Sequence, residues 1–142
     1  MERGQTRLSR PRYWWYGNVC RIVGEYPRLE SRVRDMSRQK ITPGYASTSA
    51  GQSTGRAVED IAGRVLASRE YADYEAIHAA INTARTWRDG RVLLEVVRLH
   101  AWAEPKISME LAARKVHVST STAKRMYSRF VYEVSRELGY KN

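Results

Sequence analysis

Ser119, Thr120, Ser121, Thr122, Lys124, Arg125, Ser128 and Arg129 crowd hydroxyls and cations into one short stretch of the chain. Hydroxyl groups both donate and accept hydrogen bonds, and arginine presents a planar fork that engages two acceptors at once. Carried on a helix, short hydroxylated residues followed by cations suit a grooved polyanion. The first turn reaches base edges and the next turn meets phosphates. Arg125 is the candidate base reader, because arginine pairs bidentately with guanine in the major groove. Lys124 and Arg129 are candidate backbone contacts. The plainer alternative is two ordinary packed helices with a basic outer face.

Other chemistry finds no constellation. His78, His100 and His117 are dispersed, and none has a metal-ligating partner three or four residues away. Cys20 has no histidine within its helix and reads as a small buried residue, with Arg21 beside it leaving room for mild thiol reactivity. Glu59-Asp60 falls in the first turn of a helix, where acids suit the dipole. Phosphate-loop and dinucleotide glycine patterns are missing. Tyr13-Trp14-Trp15-Tyr16 lie among Arg12 and Arg21, an interleaving that single-strand binders use. Four consecutive aromatics on a helix point in all directions, so core or oligomer contact is the favoured reading. The expectation is a binding protein rather than an enzyme, with no cofactor and no metal.

The elements that position the basic stretch can be read from caps and spacing. Ser108 can cap a short helix over 108–116, and His117-Val118 makes a tight connection. Ser119 can cap a second helix to Leu138, where Gly139 terminates it. Ala123, Met126, Tyr127, Phe130, Val131, Val134 and Leu138 step by three and four, so one face is core. Small Ala113 and Ala123 allow the helices to cross closely, and Val116 and Val118 plug the space between them. Together these features predict a helix-turn-helix with recognition helix 119–138. Such turns commonly carry glycine four residues after the alanine, where this chain has His117.

Upstream, residues 1–10 read as a mobile basic arm. Helices are expected from Arg12, with Trp15, Val19, Ile22 and Val23 as its stripe, and from Pro27 to about Gln39. Residues 41–55 read as a flexible Ser/Thr/Gly linker. Three helices should follow, over 56–69 (stripe Val58, Ile61, Ala62, Val65, Leu66), 72–87 and 90–102, with a turn at Trp87-Arg88-Asp89-Gly90. The fold class is all-α. The domains expected are a basic N-terminal helical segment (1–40), the linker (41–55), a central helical bundle (56–105) and the helix-turn-helix region (106–142).

Charge agrees with that division. The chain has 142 residues and a formal net charge of +10. Residues 1–40 hold ten basic and four acidic side chains, residues 41–105 seven and eight, and residues 106–142 eight and three. Two basic ends around a balanced middle point to a polyanion, usually nucleic acid. Arg28, Arg32, Arg34, Arg38, Lys40, Arg114 and Lys115 are candidate further phosphate contacts. No run of apolar residues is long enough to cross a membrane, and Met1–Thr6 is too polar for a secretory signal. A single cysteine suits a reducing compartment.

The stretch Val116-His117-Val118-Ser119-Thr120-Ser121-Thr122-Ala123-Lys124-Arg125, with Glu137-Leu138-Gly139, resembles the C-terminal region of RinA-type phage transcriptional activators. Glu25-Tyr26-Pro27-Arg28-Leu29 is similar to that family's Tyr-Pro segment, and Ile41-Thr42-Pro43 to its Thr-Pro. The resemblance implies that a histidine at the turn is usual. It also implies a sigma-region-4-like helix-turn-helix and activation of late packaging and morphogenesis genes. The partners implied are phage promoter or operator double-stranded DNA and host RNA polymerase, in the bacterial host cytoplasm, with a homo-oligomer as a further candidate. Two alternatives stand beside this reading. One is a small terminase subunit that binds packaging-site DNA as a ring. The other is a structural protein that binds DNA without sequence choice.

Overall fold

The structure, a computed structural model, describes residues 13–40 and 54–140, with backbone alone for 37–40, 54–62, 65 and 66. The expected arm at 1–10 and residues 41–53 of the expected linker lie outside the described residues. So do the side chains of Arg38, Lys40, Val58, Ile61, Ala62, Val65 and Leu66.

Every regular element among the described residues is helical, and the fold is all-α. Helix α1 (Tyr16–Gly24) follows a turn in which the Tyr16 N–H bonds the Tyr13 carbonyl, so it begins later than Arg12. Helix α2 (Tyr26–Lys40) starts immediately after Glu25, with Pro27 in its first turn, where a missing N–H costs nothing. Helix α3 spans Thr54–Arg85. Helix α4 (Gly90–Val97) runs on into a π-helical turn, Arg98–Trp102, in which the Ala103 N–H reaches the Arg98 carbonyl at 2.7 Å. Helices α5 (Met109–Lys115) and α6 (Thr120–Leu138) complete the chain. No helix among the described residues is long and apolar enough to cross a membrane.

One expectation is corrected here. The helices read at 56–69 and 72–87 are a single helix of 32 residues, about 48 Å long at about 1.5 Å per residue. Thr54 and Gly55, assigned to the linker, belong to it. The polar interval Ser68-Arg69-Glu70 interrupts the apolar stripe, yet it contains neither glycine nor proline to stop the helix. The stripe breaks because this part of α3 reaches beyond the core and packs on α2 instead. Glu70 takes Arg28 at 3.0 Å and Arg32 at 2.9 Å there, pinning the two helices together.

The core is one cluster. Trp15, Val19 and Val23 lead in from the N-terminal side, with Leu29 from α2. Ile77, Ala80 and Ala84 of α3, Leu93, Val96 and Val97 of α4, and Phe130, Val131 and Val134 of α6 meet them. Helix α6 packs against α1, α3, α4 and α5, so the helix carrying the basic stretch is also the central strut. Trp102 ties the π turn to α1, donating from Nε1 to the Val23 carbonyl at 2.7 Å.

Candidate nucleic-acid interface

The N-terminus of α6 is built by two caps and one left-handed residue. Ser108 Oγ accepts from the Leu111 N–H at 3.2 Å and starts α5. Ser119 Oγ accepts from the Thr122 N–H at 3.1 Å and starts α6. Between them, the Val118 N–H reaches the Ala113 carbonyl at 3.0 Å and the His117 N–H reaches the Arg114 carbonyl at 3.2 Å. This paired pattern requires a left-handed residue at the position of His117, which has φ +64°. Histidine therefore occupies a conformation that glycine adopts without steric cost. His117→Gly is expected to stabilise the fold by about 0.5–1 kcal/mol, the relief exceeding glycine's extra chain entropy. A rise in melting temperature of about 2–4 °C checks this. An unchanged or lower value would mean that the imidazole makes a compensating contact.

Ala112, Ala113 and Ala123 are buried, and Val116 and Val118 are half-buried against the core. The tight connection thus holds α5 against α6 with small residues in the crossing.

The eight candidate residues on and before α6 do not all face solvent. Ser119, Ser121, Lys124, Arg125 and Arg129 are exposed, and Thr120, Thr122 and Ser128 are half-buried. Ser119 and Thr122 serve the cap, their hydroxyls 2.9 Å apart, and Arg125 donates to Thr122 Oγ1 at 3.2 Å. Ser128, expected to point outward, is covered by α1: its Oγ lies 2.8 Å from the Tyr16 hydroxyl. Arg129 is exposed but engaged by neighbouring side chains. Its Nη1 lies 3.1 and 3.3 Å from the two Asp89 carboxylate oxygens, and its guanidinium sits 4.1 Å above the Trp87 ring. The exposed residues of α6 that carry no side-chain ion pair and lie nearest the turn are therefore Ser121, Lys124 and Arg125 in its first two turns, while α1 covers the face that carries Ser128.

The other basic candidates also divide. Arg114 and Lys115 on α5 are exposed and form no ion pair with a described residue. Arg28 and Arg32 are occupied by Glu70, and Arg34 lies 3.9 Å from Glu30. Arg28 also contacts Glu25, which takes Arg21 at 3.0 Å. Among the described residues, Arg21, Arg28, Arg32 and Arg34 thus pair with acids of the protein while remaining exposed. Separated side chains of opposite sign pair across helices here, and segment sums do not record that.

The four aromatics divide as well. Trp15 is buried, stacked on Tyr13 at 5.2 Å and on Tyr140 at 5.7 Å, with Tyr132 edge-on at 5.8 Å. Trp14 is 86% exposed. Cys20 lies in the seam between α1 and α6, among Tyr16 and Tyr127, and burial pushes its thiol up. Burial likewise pushes the Tyr16 phenol up to about 12. The seam is consequently uncharged at neutral pH, and Arg21 does not activate the thiol. His78, His100 and His117 remain apart; His100 Nδ1 meets the Ile107 carbonyl at 3.0 Å and its ring lies edge-on to Tyr127.

No protein family, curated protein or solved structure matches the chain.

Proposed function

We propose that the chain is a sequence-specific double-stranded DNA-binding protein that places the first two turns of α6 in the major groove. In this reading Ser121 and Arg125 meet base edges, while Lys124, Arg114 and Lys115 meet phosphates on either side. The observation that carries it is the joint exposure of Ser121, Lys124 and Arg125 at a capped helix N-terminus, set against α5 by the left-handed turn at His117. The biological role follows the resemblance to RinA-type activators: transcription activation of phage late genes, with host RNA polymerase as partner.

Selection from randomised duplexes supplies the cognate site. Arg125→Ala is then expected to cost about 1–3 kcal/mol on that site and clearly less on random DNA. Equal losses on both would reduce Arg125 to a phosphate contact. Footprinting on the encoding phage's DNA tests the role. Protection upstream of the packaging operon supports an activator, and protection at the packaging start contradicts it in favour of a terminase subunit.

A further inference from the structure

Residues 85–91 lie in the part of the chain whose charges balance, yet they contain Arg85, Arg88 and Arg91 against the single acid Asp89. The fold brings this segment to α6. Asp89 and Trp87 both hold Arg129, which lies one turn beyond Arg125 on the same helix. Arg88 is between those two anchors in sequence. The turn itself is tight: Trp87 N–H bonds the Ala84 carbonyl and Gly90 N–H bonds the Trp87 carbonyl, each at 3.0 Å. Thr86 Oγ1 closes it further, donating to the Thr83 carbonyl at 2.6 Å.

Asp89 is neutralised by Arg129, so it does not repel an approaching anion. Arg88 and Arg91 are exposed and form no ion pair with a described residue. A tight turn carrying Arg88, with Arg91 in the first turn of α4 beside it, clasped to a helix that presents Arg125, matches a phosphodiester backbone running beside the groove that helix enters. We infer that the turn between α3 and α4, together with the start of α4, is a second DNA-backbone contact, with Arg88 and Arg91 on phosphates and Arg129 as the residue that positions the turn. This rests on the DNA-binding reading of α6.

The test measures binding of fluorescent cognate and random duplexes over a series of salt concentrations for Arg88→Ala, Arg91→Ala and the double variant. Each substitution is expected to weaken binding roughly tenfold at about 0.1 M salt, by similar factors on both duplexes. Each should also lower the slope of log affinity against log salt by about one. Arg69→Ala on α3 serves as the charge control and should leave both quantities unchanged. If the wild-type chain binds neither duplex, the DNA-binding reading fails. If it binds and the double variant keeps wild-type affinity and slope, that reading stands and the second contact is overturned. An equal loss in Arg69→Ala would also overturn it, since net charge alone would then explain the effect.

Discussion

Trp15→Ala is expected to destabilise the protein by about 3–5 kcal/mol, read as a lowered denaturant midpoint with little change in slope. The indole is 1% exposed and sits between Tyr13 and Tyr140, with Tyr132 edge-on. Its removal leaves a cavity lined by stiff rings that cannot collapse around it. The contacts also join distant parts of the chain, since Tyr132 belongs to α6 and Tyr140 follows it. Trp14→Ala, one residue away, should change stability by well under about 1 kcal/mol, because that ring is 86% exposed. Similar losses in the two variants would contradict the placement of the N-terminal turn against α6.

Gly90→Ala is expected to cost more than about 2–3 kcal/mol. A Cβ at position 90 would lie 1.8 Å from the Ala84 carbonyl oxygen and 2.9 Å from its carbon. Both atoms are backbone at the end of α3, so relief requires moving the turn rather than a flexible side chain. That turn carries Trp87 and Asp89, and moving it would release Arg129. The stability loss should therefore come with weaker binding to cognate and random duplexes alike. A variant with wild-type stability, measured by denaturant unfolding, would show that α3 and α4 do not approach so closely.

Local signals carried far: Ser108 and Ser119 cap their helices, Gly139 ends α6 in a left-handed conformation, and Pro27 opens α2. Helical spacing placed Ile77, Leu93, Val96, Phe130 and Val134 in the core, because one period serves every amphipathic helix. Period alone does not distinguish a core stripe that ends from a helix that ends, so the pattern of α3 reads as two helices. Nor does it rank Trp14 against Trp15, which depends on what α6 and Tyr140 present to them.

The binding surface shows the same limit more sharply. Arg125 and Lys124 face outward, off the buried stripe of Ala123 and Met126. Ser128 and Arg129 share that helix and that composition, yet one is under Tyr16 and the other is clasped by Asp89 and Trp87. Contacts between residues 112 and 40 positions apart decide their roles, and no local pattern encodes such pairings. Charge sums fail in both directions. Arg28 and Arg32 are spent on Glu70, while Arg88 and Arg91, in the balanced segment, are left without a described acid.

The most direct measurement of the central claim is methylation interference on the selected duplex. Methylation of guanine N7 blocks the major-groove edge that an arginine fork would engage. N7 methylation at one or more guanines of the site is expected to abolish wild-type binding, and Arg125→Ala to lose sensitivity at one of them. Binding that tolerates every N7 methyl group, or that is blocked only by minor-groove methylation at adenine N3, would contradict it.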